Sequence, residues 1–184
     1  MKISAKQAAF TAVLLTLAIV SQFLKNLSVY LTGPIINLIL MTAVSFCGLL
    51  PALILSVITP VTSFLITGSP LMAAIPVIIP CVMLGNAVLV LVMWLIRRKN
   101  GNISLAWLLG AIVKSGVMAG LISGIVIPTR GPSPGLPAPA LAAARFTFSA
   151  TQLITACIGG ILFLAVRAAL KKAGFGEAAP AAGK

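Results

Sequence analysis

The chain has almost no acidic residues and no histidine at all. Among 184 residues there is no aspartate, and Glu177, near the C-terminal end, is the single glutamate. Without histidine there can be no imidazole-activated nucleophile, no histidine metal site and no imidazole proton relay. Paired-carboxylate catalysis and two-metal sites are excluded for want of carboxylates. We therefore expect no enzymatic activity and no bound metal.

The chain also lacks the sequence features by which transporters use ATP or an ion gradient. No glycine-rich loop ends in Lys-Ser or Lys-Thr, so ATP hydrolysis by a phosphate-binding loop is excluded. Ion-driven transporters usually carry an intramembrane carboxylate, and none is present here. These absences leave binding or passive conduction, and any ATP would be used by partner subunits. We expect no cofactor.

Hydrophobic residues make up 60% of the chain, and charged residues only 8%. Soluble domains carry about a quarter charged residues. Apolar runs near the length of about 20 residues needed to cross a bilayer recur along the sequence. We predict an all-α integral membrane protein with about six spans, although five are also compatible with the pattern. The predicted spans are 5–25, 35–50, 51–67, 76–96, 103–127 and 143–170.

The breaks between these spans follow glycine and proline. Gly33-Pro34 is predicted to open the second span, and 48–51 to turn into the third, which ends at 68–70. "PTRGPSPGLPAPA" (128–140) is predicted to be an extended, polyproline-like outer loop, serving as a linker or as a lid. Residues 1–172 form the predicted transmembrane domain, and 173–184 a disordered cytoplasmic tail.

The net charge of +12 is distributed unevenly around the predicted spans. Basic clusters can bind nucleic acid, but here they flank apolar helices, so we expect a lipid bilayer and no nucleic acid as partner. Nine basic residues fall on one side of the map and three on the other, which places both termini in the cytoplasm of a plasma-membrane protein. The nine are Lys2, Lys6, Arg97, Arg98, Lys99, Arg167, Lys171, Lys172 and Lys184, and the three are Lys25, Arg130 and Arg145.

Lys114 lies near the middle of the fifth predicted span, about 15 Å from either end. Burying a lysine there costs about 2.5–3.5 kcal/mol. Three interpretations stay open: backbone carbonyls bond the amine, desolvation leaves it neutral, or the lysine faces a hydrated cavity and awaits an anion. On the opposite side of the same helix, Gly116, Gly120 and Gly124 form a stripe that would let a neighbouring helix approach closely.

Other polar residues in the predicted spans could join Lys114 in a mostly apolar pocket. They are Asn37, Asn86, Gln152, Thr155 and Arg145. Each amide could instead join two helices by hydrogen bonds. Cys47, Cys81 and Cys157 lack metal-type spacing and are expected to pack as small apolar residues.

Four stretches in this order resemble the substrate-binding S components of energy-coupling-factor (ECF) type vitamin transporters. They are "AAFTAVLLTLAIV" (8–20), "TGPIINLILMTAV" (32–44), "PVIIPCVMLGNAVLVLV" (76–92) and "QLITACIGGIL" (152–162). The resemblance covers nearly the whole chain, including its size and six spans. It implies a protein that captures a micronutrient outside the cell and delivers it to a transmembrane coupling subunit with two ATPase subunits.

The resemblance also implies residue roles. The docking surface for the coupling subunit would fall on Ala8 and Ala12, or on Ala5 and Ala9 in the neighbouring register. Substrate would be bound by the outer loops and the last three helices. The expected binding set is Lys114, Asn86, Arg145, Gln152, Asn37, Arg130 and Tyr30, and its charge favours an anionic cargo. Two alternatives stay open: a self-sufficient channel or facilitator for a small solute, and a non-catalytic assembly factor.

Overall fold

The fold is entirely helical in the part of the chain that the computed structural model describes, residues 3–24, 28–99, 101–131 and 136–178. The helices in these ranges are numbered in chain order. They are α1 (Ala5–Gln22), α2 (Val29–Phe46), α3 (Leu49–Thr67), α4 (Pro70–Ala74), α5 (Ile78–Arg98), α6 (Ile103–Met118), α7 (Ile127–Arg130), α8 (Ala138–Thr147) and α9 (Ala150–Lys172), with a π-helical segment, Ala119–Val126, joining α6 to α7.

Six stretches are long and apolar enough to cross a bilayer, as the sequence predicts. The first four are α1, α2, α3 and α5; the fifth is the continuous run Ile103–Arg130, and the sixth lies within Ala138–Lys172. Large apolar side chains such as Leu65 and Ile161 are exposed. A multi-pass membrane protein explains that exposure, since lipid rather than water then surrounds these side chains.

The second span begins earlier than its sequence suggests. Ser28 caps α2 by accepting a hydrogen bond from the backbone N–H of Tyr30, and Pro34 lies inside the helix. The prediction that Gly33-Pro34 opens this span was therefore wrong. The predicted turns at Gly48 and Gly68 are confirmed: both have positive φ angles, 96° and 57°, which glycine adopts without strain.

Close helix packing uses different glycines from those predicted. A β-carbon on Gly116 or Gly120 would meet nothing within 4 Å, and one on Gly124 would meet only its own helical segment. The predicted small-residue stripe thus faces away from the bundle. Gly160, in contrast, lies directly against the Trp107 ring, and Gly110 lies against Leu89.

The spans alternate in direction, since short connections join successive helices, so the bundle has two distinct ends. At the first, the tail end, α1 begins, α2 ends and α9 ends. A hydrophobic core that includes Leu40, Val44, Leu89, Met93 and Phe163 fills this half. At the opposite end, the cavity end, a second cluster around Met118, Ile122 and Phe148 lies beneath α4 and α8.

Residues 173–178 pack on the tail end, so the prediction of a disordered tail was wrong for this segment; residues 179–184 lie outside the described part. Ala178 donates its backbone N–H to Ser45 O at 2.9 Å, and the Phe175 ring lies 5.6 Å from that of Phe10. Burial raises the pKa of Glu177, but the hydrogen bond from Arg167 and the surrounding positive charges outweigh it and hold that pKa below its ordinary value.

The basic residues divide between the two ends as predicted. In the described ranges, seven of them belong to the tail end: Lys6, Arg97, Arg98, Lys99, Arg167, Lys171 and Lys172. Arg130 and Arg145 belong to the cavity end. Lys2, Lys25 and Lys184 lie outside the described residues. Which end faces the cytoplasm stays a prediction.

The proline-rich connection is less extended than predicted. Residues 128–130 continue the fifth span as helix, and residues 138–140 already belong to α8. Pro137, with φ −60° and ψ 141°, has extended backbone of the predicted kind. Residues 132–135 lie outside the described part of the chain.

Candidate functional site

A cavity of about 460 Å³ lies inside the cavity end of the bundle. Its walls come from α1, α2, α3, α5, α6, α8 and α9, and from residues around α4. Pockets for small molecules usually measure about 300–1,000 Å³, so this one has a suitable size. Four of the predicted binding residues line it: Asn37, Asn86, Lys114 and Gln152.

Lys114 is bound by two asparagines in the cavity wall. Its Nζ donates to Asn37 Oδ1 at 2.6 Å and to Asn86 Oδ1 at 2.8 Å, and all three residues are at most 3% exposed. Hydrogen bonds to charged groups stabilise by about 1.5–3 kcal/mol each, which is enough to offset the insertion cost of one lysine. Side-chain amides, rather than the backbone carbonyls considered from the sequence, therefore satisfy this amine.

Glycines bring the three side chains together. A β-carbon on Gly85, next to Asn86, would lie 2.5 Å from Met118 Cγ, so α5 and α6 approach closely only because that atom is missing. Gly159 plays the same part between α9 and α2, where a β-carbon would lie 2.8 Å from Asn37 Cβ. The lysine thus meets acceptors from two neighbouring helices.

The resulting cluster of Lys114, Asn37 and Asn86 offers more hydrogen-bond donors than acceptors and contains no negative charge. An ammonium has three N–H donors, and the asparagine oxygens take two of them. With each oxygen turned to the lysine, the amide NH₂ groups remain as donors. The single glutamate lies at the tail end, paired with Arg97 and Arg167. The cluster is therefore suited to an anion or to another acceptor-rich group.

No family model, curated protein or solved structure matches this chain. Function is therefore inferred from the geometry of this site and from the residues that carry the resemblance.

The other predicted binding residues lie away from the cavity wall. Arg130, at the end of α7, and Arg145, on α8, are exposed. The Tyr30 hydroxyl lies 3.4 Å from Thr151 Oγ1, and its ring is half exposed. Thr155 is buried and donates to the carbonyl of Thr151. The structure therefore does not bring these residues to Lys114.

Sequence reasoning missed Gln22, the last residue of α1, which lines the cavity and is 2% exposed. Its Nε2 donates to Thr59 O at 3.0 Å, and its Oε1 is buried and has no hydrogen-bond partner among the described residues. An unsatisfied buried acceptor of this kind costs about 1–3 kcal/mol. A glutamine inside the first predicted span, 5–25, was the available signal.

The alanines predicted for docking lie outside the bundle core. Ala5, Ala8, Ala9 and Ala12 are all exposed on α1, toward the tail end. Neighbouring helices of the chain therefore leave this face uncovered. In the described ranges, no group of histidine, cysteine, aspartate and glutamate side chains is arranged to hold a metal ion.

Proposed function

We propose that the chain is the substrate-binding S component of an ECF-type importer, and that it captures a small anionic micronutrient. The Lys114 cluster carries the proposal: a buried cation held by two neutral amides, facing a cavity of ligand size. An anion about 4 Å from the lysine would gain about 4 kcal/mol at an effective dielectric of 20. The cargo supplies the negative charge that the cavity lacks.

Orientation and dead-end shape support uptake from outside. The positive-inside rule puts the tail end, which is rich in basic residues, in the cytoplasm, so the cavity would face outward. The core around Leu40 and Phe163 fills the bundle on the cytoplasmic side of the cavity. A cavity blocked at one end favours a binding protein over a channel or facilitator. Delivery then requires a partner, and the uncovered alanine face on α1 is the proposed docking surface for the coupling subunit.

Ligand screening tests the binding step. The purified chain is heated in detergent with a panel of small carboxylates and phosphates, each paired with an uncharged amide or alcohol analogue. We expect stabilisation by members of the acidic set and not by their neutral partners. If a cationic compound stabilised the chain instead, the anionic assignment would be wrong.

Replacement of Lys114 tests the residue that carries the proposal. Lys114→Met should weaken binding of a stabilising acid at least tenfold, because the stem is kept and the charge is lost. Lys114→Gln is the second variant, since its amide can still donate to one asparagine and preserve the fold. Lys172→Met, the same change on the exposed end of α9, is the matched control and should leave affinity unchanged. Equal affinity in the wild type and both Lys114 variants would make this lysine purely structural.

Docking is tested by adding volume to the alanine face. Ala8→Trp and Ala12→Trp should abolish uptake by whole cells while leaving binding of the same acid within about twofold. A helix face that approaches a partner through small residues cannot accommodate an indole ring. Leu17→Trp, on an exposed position further along α1, is the control. Parallel loss of binding and uptake would assign these alanines to the fold.

A further inference from the structure

The Gln22 amide has a fixed orientation in the cavity wall. Its Nε2 donates to the Thr59 carbonyl at 3.0 Å. The reversed amide would place two oxygens against each other, so the chemistry of the contact decides which atom is the oxygen. Oε1 is left buried, with no hydrogen-bond partner in the part of the chain that the structure describes. The protein therefore holds an acceptor in place without providing its donor.

This acceptor and the lysine cluster belong to different walls of one cavity. Gln22 and Thr59 belong to α1 and α3, whereas the cluster is built by α2, α5 and α6. Thr59 lies eight residues before the end of α3 at Thr67, and Asn37 lies eight residues after the start of α2 at Val29. Both positions are therefore about 12 Å from the cavity end of their helices. The two walls therefore border the same cavity at a similar depth.

The two walls offer opposite hydrogen-bonding character. The cluster presents more donors than acceptors and no negative charge, and it suits a carboxylate or phosphate. The Gln22 wall holds a buried acceptor, which suits an N–H or O–H group that displaces the side chains covering it. We infer that the cargo is an organic acid that also carries a hydrogen-bond donor, which pairs with Gln22 Oε1 while the acid group pairs with Lys114. This inference rests on the proposed function, and it excludes inorganic anions and simple fatty acids as the intended cargo.

Matched pairs of probes test the inference. N-acetylglycine and its longer N-acetyl-aminoalkanoate homologues place a secondary amide N–H at increasing distances from a carboxylate. Each is compared with its N-methyl counterpart, which keeps the acid and loses the donor. Calorimetric titration of the purified chain should find at least one homologue that binds about fivefold or more tightly than its N-methyl form.

Variants locate the preference in the cavity. Gln22→Met, with Gln22→Leu as a second variant, should abolish the preference for the N–H form. Gln7→Met is the matched control: Gln7 lies at the other end of α1, where its Oε1 accepts from the Ser4 backbone N–H at 3.0 Å, and it is outside the cavity wall. It should keep the preference. Lys114→Met should weaken both probe forms equally.

The outcomes separate this inference from the proposed function. If the probes bind in a Lys114-dependent manner but N-methylation has no effect, the acid site stands and the role of Gln22 is refuted. The role is also refuted if the preference persists in both Gln22 variants. If no probe and no acid of the wider panel binds to the wild type, both the inference and the proposed function fail.

Discussion

The two ends of the bundle treat their charged groups differently. At the tail end, the single acid is paired within the chain: Glu177 binds Arg97 at 3.0 Å and Arg167 at 2.6 Å, and Arg97 also donates to the Val44 carbonyl. At the cavity end, the buried amine of Lys114 bonds two neutral amides, and the Gln22 oxygen has no partner among the described residues. An ion pair within the chain serves stability, whereas a buried amine without an acid is what an anionic ligand can pair with.

The largest effect is expected from giving the cavity its own acid. Asn37→Asp keeps the side-chain shape and converts the Lys114 contact into an ion pair. Binding of a stabilising acid should fall at least a hundredfold, because two unit charges about 4 Å apart interact by about 4 kcal/mol at an effective dielectric of 20. Calorimetric titration measures the change.

Asn102→Asp provides the matched control for that experiment. Asn102 is exposed, caps the start of α6 by accepting from Ser104 N, and lies outside the cavity. Aspartate caps helices as well as asparagine does, so the same charge is added without disturbing the fold. Unchanged binding in Asn37→Asp would show that the anion site lies elsewhere.

An intermediate effect is expected from removing the acid at the tail end. Glu177→Gln should lower the free energy of unfolding by about 1.5–3 kcal/mol, the range for hydrogen bonds to charged groups. Ligand affinity should stay within about twofold, because Glu177 and the cavity lie at opposite ends. Thermal unfolding and titration of the same preparation give both values. A comparable loss of affinity would mean that the two ends are coupled.

The smallest effect is expected from pH. Because folding lowers the pKa of Glu177, its contribution to stability is complete above the unfolded-state value of about 4.3. That contribution is lost as the pH falls through the lower folded-state pKa. The difference in melting temperature between the wild type and Glu177→Gln should therefore shrink as the pH is lowered from about 6 to about 3, a range that includes the ordinary glutamate pKa. A constant difference would contradict the ion-pair account.

Hydrophobic patterning was enough to predict the six spans, because a bilayer demands long apolar helices whatever their arrangement. The start of α2 was missed because Pro34 was taken to open the helix, although the Ser28 cap and packing of the preceding turn extend it backward. The ordered segment 173–178 was missed because its composition is that of a loop. Its order comes from tertiary contacts with Phe10, Ser45 and Arg97.

The site was only partly predictable for a similar reason. Lys114, Asn37 and Asn86 stood out as polar residues in apolar spans, and the fold brings them together. Their mutual hydrogen bonds depend on which helices are neighbours, and on close approaches at Gly85 and Gly159 that sequence alone does not assign. Gln22 was missed because its unpaired oxygen is a property of three-dimensional packing.

The π-helical segment determines which residues of the fifth span face the bundle. Along an α-helix, a step of four residues turns about 40° more than a full circle around the axis. Along the wider π-helix, the same step turns about 30° less than a full circle. The rotation of every fourth residue around the axis along α6 is therefore reversed after Met118. Every fourth residue of the span then faces the bundle, and these residues are all buried: Gly110, Lys114, Met118, Ile122 and Val126. As a result, Gly116, Gly120 and Gly124, which share the four-residue spacing, line up as a straight outward furrow parallel to the helix axis.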